Sequence, residues 1–434
     1  MARLKRMTAW ASLAILVIAA PAWAQIGPIQ TPALPGLPAG VADRLPALDE
    51  VDRLTRPTVR RVLEAPTRLG ELIRRSGGAL ERDPSGWPVV TGEVLAMDLS
   101  DAARAQAQGL GFIFIREERM EALDLTITVL APPPRMSLAR AADRLRQIDP
   151  AAEIAFNHIY APAGAVEHAP VGGRSASADP ASEGRASGVR LGLIDTGVDA
   201  THPALAGSRI IQRGFAGPAR TSAHGLAVAS LMIGRSGPFS GGAPGADLLA
   251  ADIYGGQAAG GSSTALAGAL AWMVEQRAAV VNVSLVGPRN ALVERAVARA
   301  RARGVIIVAA VGNDGPAAPA LYPAAYDGVV GVTAVNGRNR VLPEAGRGAP
   351  VDFAAPGADM AAAAQGGGWT TVRGTSFAAP IVAGLLARRG VAALEREAID
   401  LGARGPDPVY GAGLVGVASR VAPRDMGARG RLAR

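Results

Sequence analysis

Residues 278–312 read AAVVNVSLVGPRNALVERAVARARARGVIIVAAVG. An apolar run, AVVNVSLV, gives way to NALVERAVARARARG, which has a helical spacing of Leu and Val, and then to a second apolar run, VIIVAAVG. Continuous rather than alternating hydrophobicity predicts strands covered on both faces, and the strand–helix–strand order predicts parallel pairing. The pattern extends outward. VRLGLID (189–195), DLLAADIY (247–254) and VVGVTAVN (329–336) are further strand candidates, with GLAVASLMIG, STALAGALAWMVEQR and SFAAPIVAGLLARRG as helices. The expected fold class is α/β, a parallel sheet with helices on both faces.

The chain has 434 residues, enough for one large domain and a smaller one. Only 4% of residues are aromatic, so the core must rest on Ala, Val, Leu and Ile. The net charge of +8 is carried by arginines dispersed along the chain, with no aromatic residues interleaved in a basic cluster, which argues against a nucleic-acid partner. The absence of cysteine excludes disulfides, thiolate metal sites and a cysteine nucleophile.

At the N-terminus, a basic start, an apolar stretch from Ala9 to Ala20 and Ala22-Trp23-Ala24 have the layout of a signal peptide over 1–24. This predicts export to the periplasm or beyond, or a membrane tether if the segment is retained. Residues 25–89 read as a Pro-rich linker with short helices. Residues 90–161 order as βαββαβ, a small α+β ferredoxin-like domain. Residues 162–188 are rich in Gly, Ser, Ala and Pro and read as a flexible segment; 189–418 form the large domain and 419–434 a basic tail.

Four residues of the large domain stand where chemistry gathers in a parallel sheet, at strand ends and helix starts. Asp195 ends VRLGLID; Asp before Thr-Gly also makes an ordinary turn. His224 opens a helix, where it is either a base or a cap. Asn313 follows VIIVAAVG in the turn sequence Asn-Asp-Gly. Ser376, in RGTSFAAPIVAGLLARRG (373–390), is either a helix cap or a nucleophile at the positive end of a helix. His202, before a proline, reads as a loop residue with structural hydrogen bonds. Pro380 cannot donate to the Ser376 carbonyl, which predicts a loosened turn.

Taken together, LGLIDTGVDATHPAL, HGLAVAS, VVNVSLVGP, VAAVGNDGP and GTSFAAPIVAG, in this order, resemble the subtilisin-like serine proteases over about residues 188–418. The resemblance implies a catalytic triad of Asp195, His224 and Ser376, with Asn313 and the Ser376 N–H stabilising the oxyanion. It implies a protein or peptide substrate bound along Ser284, Leu285, Val286 and Gly287. The front domain resembles the family's propeptide, an intramolecular chaperone and inhibitor, with Tyr160 near the residue preceding self-cleavage (P1). The protein is expected to be a monomer. A binding module on a protease fold is the reading from another class; the intact four-residue set argues against it.

Three departures carry expectations. Leu226 and Ala227 stand in HGLAVAS where the family usually has Thr and His. Val286 and Leu321 occupy positions usually held by Gly, which predicts a P1 pocket for small residues; this sits awkwardly with Tyr160 and leaves an Ala-rich site within 161–188 as the alternative for cleavage. Ala204 stands where a calcium-ligand Asp is usual, so no metal or other cofactor is expected.

Overall fold

The computed structural model describes residues 69–166 and 188–428. The signal-peptide layout lies outside them, as do residues 167–187 of the segment expected to be flexible. Among the described residues no single helix is long and apolar enough to cross a membrane.

The front domain comprises β1 (Leu80–Arg82), β2 (Pro88–Met97), α1 (Asp101–Gly109), β3 (Ile113–Met120), β4 (Leu125–Ala131), α2 (Leu138–Ile148) and β5 (Glu153–His158). All pairings are antiparallel, with β5 and β4 on either side of β2 and β3 outside β4. This is the expected βαββαβ arrangement with one addition. The sheet begins before residue 90, because the Asp83 carboxylate accepts the Ser85 and Trp87 N–H groups and closes a β1–β2 turn inside the presumed linker. Alternation along β2 then fixes the packing: Val94 and Ala96 face α1 and α2, whereas Leu95 and Met97 enter a core shared with the large domain.

Two short strands follow, β6 (Ala161–Pro162) and β7 (Ala165–Val166). They correct the expectation of a flexible segment from 162, because they pair with strands of the large domain.

The large domain contains β8 (Arg190–Asp195), β9 (Ile210–Gly214), α3 (Ala223–Ile233), a hairpin of β10 (Arg235–Ser236) and β11 (Phe239–Ser240), β12 (Asp247–Asp252) and α4 (Ser263–Glu275). It continues through β13 (Val280–Val283), β14 (Leu285–Val286), α5 (Ala291–Ala302), β15 (Ile306–Ala310), β16 (Val330–Val335) and β17 (Phe353–Pro356). Last come β18 (Ala358–Ala363), β19 (Trp369–Arg373), α6 (Thr375–Arg389) and α7 (Val391–Glu397).

Seven strands form a parallel sheet in the order β17-β16-β15-β13-β8-β12-β9. Leu191 and Leu193 of β8 face a core built on α3 and α6, and Ile194 faces the core built on α4 and α5. The helices α3 and α6 are buried almost all round, which explains why they are so uniformly apolar. Strands β9 and β17 and the β18–β19 hairpin carry no clear sequence pattern. The domain also runs past 418: Val421 and Met426 are buried in the α3–α6 core, and the Val421 carbonyl accepts the Ala361 N–H, so 419–428 is not a tail.

His202 has the structural place expected of it. Its Nε2–H donates to the Gly368 carbonyl at 3.0 Å and Nδ1 accepts the Ala204 N–H at 3.2 Å, capping a short 3₁₀ turn. Both nitrogens are therefore committed in the neutral tautomer, and burial holds the pKa below its ordinary value. The unfolded chain takes up this proton first, so the His202 contribution is complete above the unfolded pKa of about 6.5 and is lost as pH falls below it. Denaturant unfolding at about pH 7 and about pH 5 should show a loss of stability in acid that narrows in His202→Asn, which can still cap but does not titrate. An equal acid loss in the variant would assign the effect elsewhere.

Candidate active site

The four residues singled out in the sequence converge at the carboxyl end of the parallel sheet. Asp195 is fully buried at the end of β8. Its Oδ1 accepts the His224 Nδ1–H at 2.8 Å, the Thr196 N–H at 2.6 Å and the Thr196 hydroxyl at 3.0 Å. A carboxylate only accepts, so Nδ1 carries the imidazole hydrogen and Nε2 keeps a lone pair. That Nε2 is buried and makes no hydrogen bond. Thr196 also accepts the Gly225 N–H at 2.9 Å, tying the start of α3 to the end of β8.

Ser376 is the second residue of α6 and fully buried. Its hydroxyl donates to the Ser284 carbonyl at 3.0 Å and not to His224. The hydroxyl must therefore leave the Ser284 carbonyl before it can donate to Nε2. Gly374 precedes the helix with φ 137°, and a Cβ there would lie 2.8 Å from Gly164 Cα and 3.0 Å from the Ala163 oxygen. Glycine is required on both counts.

The chain's own residues 160–166 run through this place. Ala161 and Pro162 pair antiparallel with Val286 and Leu285, and the Ala163 N–H donates to the Ser284 carbonyl at 3.1 Å. The Ala163 carbonyl accepts the Ser376 backbone N–H at 3.1 Å and, on its other side, the Asn313 side-chain amide. Asn313 Oδ1 accepts the Thr375 N–H at 3.1 Å, which fixes the orientation of that amide. Beyond the Ala163–Gly164 bond, Ala165 and Val166 pair with Arg373 and Val372.

Tyr160, expected near P1, instead lies three residues before the carbonyl held by Ser376 and Asn313. Its ring is fully buried against Gly287, where a Cβ would come within 2.7 Å of it, and its hydroxyl donates to the Pro288 carbonyl at 2.9 Å. The Tyr160 carbonyl accepts the Tyr254 hydroxyl at 2.8 Å. Burial, aided by the charges of Asp195 and Asp252, raises the Tyr254 pKa well above its ordinary value, so this donor keeps its proton. Leu321 is buried, and its Cδ1 would stand 2.6 Å from a Cβ on Gly312, with Val286 Cγ1 at 3.5 Å.

The sequence profile of the subtilase family matches residues 186–392. The chain is 34% identical over 206 residues to Subtilisin Savinase of Lederbergia lenta, covering 46% of this chain and 76% of that protein. It is 32% identical over 247 residues to thermitase of Thermoactinomyces vulgaris, covering 54% and 87%. The chain belongs to the subtilase family. It also matches M-protease of Shouchella clausii at 34% identity, spanning 53% of that longer protein, about half. In structure, 77% of this subtilase superposes on 61% of fervidolysin from Fervidobacterium pennivorans, a keratinolytic enzyme related to subtilisin, with a TM-score of 0.62 at 21% identity, a likeness of fold.

Leu226 and Ala227 are buried apolar residues of α3 in this subtilase. Ala204 is likewise buried and brings no side-chain oxygen. Among the described residues no three His, Asp or Glu side chains group where they could hold a cation.

The turn at Pro380 shows how the nucleophile candidate is held. The Ser376 carbonyl, lacking the Pro380 N–H, accepts the Ser284 hydroxyl at 2.8 Å, and Ser284 Oγ in turn accepts the Asn282 side-chain amide at 2.8 Å. Ser284→Ala leaves the Ser376 carbonyl buried without this donor, which costs about 1–3 kcal/mol. Unfolding curves should show that loss, and kcat on a peptide substrate should fall more than KM rises, because the displaced group is Ser376. An unchanged kcat would detach this chain of bonds from catalysis.

Proposed function

We propose that this subtilase is an exported serine endopeptidase whose first substrate is its own chain, at the Ala163–Gly164 bond. The observation that carries the reading is the Ala163 carbonyl, which accepts the Ser376 N–H and the Asn313 amide beside the Ser376 hydroxyl. Donors aimed at one carbonyl oxygen from two sides are what an oxyanion requires. The Asp195–His224 bond supports the rest of the assignment, since it directs an uncommitted Nε2 lone pair away from Asp195. Export rests on the N-terminal layout at 1–24 and on the kinship with the bacterial proteases.

In this mechanism the Ser376 hydroxyl leaves the Ser284 carbonyl and turns to His224. Nε2 takes the proton as Oγ bonds to the carbonyl carbon. The oxygen becomes negative between Asn313 and the Ser376 N–H, helped by the positive end of α6. The C–N bond then breaks and the imidazolium gives its proton to the leaving amine of Gly164. Water repeats the sequence: its proton goes to His224, its oxygen bonds to the acyl carbon, and the Oγ–C bond breaks as Ser376 recovers a proton. Asp195 holds the tautomer throughout.

The front domain acts as an intramolecular inhibitor and folding partner on this reading. Ser284, Leu285, Val286 and Gly287 line the substrate strand. Leu321 and Val286 narrow the P1 pocket, which agrees with Ala163 at that place.

Expressed side by side, the wild-type chain should shorten to a product beginning Gly164-Ala165-Val166, whereas Ser376→Ala stays whole. Equal shortening of both, with no fluorophosphonate labelling of Ser376, would falsify the assignment. Asn313→Ala should process about 10²–10³-fold more slowly without stopping. For substrates differing only at P1, Ala should be cut faster than Phe, because enclosing a large ring incurs overpacking of about 1–3 kcal/mol. Faster turnover of Phe would remove Leu321 and Val286 from the specificity argument.

A further inference from the structure

We infer that Phe377 makes this enzyme select glycine immediately after the bond it cuts. The inference rests on the protease reading above and concerns the leaving side of the bond, which neither the triad nor the P1 pocket determines. Gly164 follows the carbonyl held by Asn313 and Ser376. A Cβ added to it would lie 2.7 Å from Phe377 Cε2, 3.0 Å from Ser376 Cβ and 3.3 Å from Phe377 Cζ. The exclusion is one of space: Gly164 does not have a left-handed backbone, and any residue could adopt its conformation.

None of the obstructing atoms can give way cheaply. Ser376 Cβ carries the attacking oxygen, so displacing it moves the nucleophile. The Phe377 ring is fully buried and stands against the His224 ring, with centroids 5.4 Å apart and planes tilted by 53°. His224 is itself held by Asp195. The substrate cannot lean away either, since it is pinned on one side of the bond by β14 and Ser284 and on the other by the pairing of Ala165 and Val166 with β19. A side chain at the first leaving position is therefore caught between a fixed strand and a fixed ring. The substrates are polypeptides with a small residue followed by glycine, as in Ala163–Gly164.

The test expresses the full chain, separates the part beginning at Gly164 from the front segment after self-cleavage, and compares three substrates of it: the methyl ester of Tyr-Ala-Pro-Ala, which has no side chain after the scissile bond, and the peptides Tyr-Ala-Pro-Ala-Gly-Ala-Val and Tyr-Ala-Pro-Ala-Ala-Ala-Val. With cleavage directly after the Pro-Ala pair confirmed by mass, kcat/KM for the glycine peptide should exceed that for the alanine peptide by about tenfold or more. Divided by each protein's own ester rate, the alanine peptide should gain in Phe377→Ala and, less strongly, in Phe377→Met. Ester hydrolysis with both peptides cut equally by the wild type overturns the inference and leaves the protease reading standing. A chain that neither shortens itself nor hydrolyses the ester or either peptide removes both. The wild-type comparison decides the matter even if a variant fails to fold.

Discussion

One carbonyl oxygen organises the structure: that of Ala163, which accepts hydrogen bonds from the Asn313 amide and the Ser376 backbone N–H. Each donor depends on something further away. The Asn313 amide is turned toward the oxygen because its own oxygen accepts the Thr375 N–H. The Ser376 N–H is free to point outward because it belongs to the first turn of α6, where helical amides have no internal partner. Gly374 lets the incoming chain pass close enough for both to reach. The strand that presents Ala163 is held by β14 on one side of the bond and β19 on the other.

The front domain is bonded to the large one chiefly through the helix starts of α4 and α5. Asn290 caps α5 with its oxygen, accepting the Leu292 and Val293 N–H groups, and uses its amide hydrogens on the Phe156 carbonyl and His158 Nδ1. Asn157 accepts the Thr264 N–H at the start of α4. Arg295 of α5 pairs with Asp98 and Glu153, and the apolar face of β2 and β4 packs on the same two helices. Helix starts are rich in unpaired donors, so a segment that supplies acceptors there gains both alignment and adhesion.

The parts of the fold legible in the sequence were those with a strong period. The runs at 189–195, 279–286 and 305–312 are mostly apolar without alternation because both sheet faces are covered, and α3 and α6 are mostly apolar because they are buried nearly all round. Strand β9, IIQRG, escapes because it is the sheet's edge and three of its residues face solvent. Residues 162–166 read as part of a flexible segment because their order comes from pairing with β14 and β19, not from a pattern of their own. At the site, Asp195, His224, Asn313 and Ser376 were legible as a set. Thr196, Thr375 and Phe377 were not, although each adjoins one of the four, because their roles depend on where a neighbouring segment passes. Tyr160 stands three residues before the carbonyl that meets the two donors, and nothing local in the sequence states which carbonyl does so.

Proline in the interior of a helix ordinarily leaves a weak point, and Pro380 removes the bond that would close the first turn of α6. Here the vacancy is filled sideways by Ser284, whose hydroxyl braces the Ser376 carbonyl while its own carbonyl accepts both the Ser376 hydroxyl and the Ala163 N–H. The Ser376 hydroxyl and the Ala163 N–H thus share one acceptor, the carbonyl of the residue that braces the turn. A substitution that shifts Ser284 therefore acts on the helix start and on the segment beside it at once.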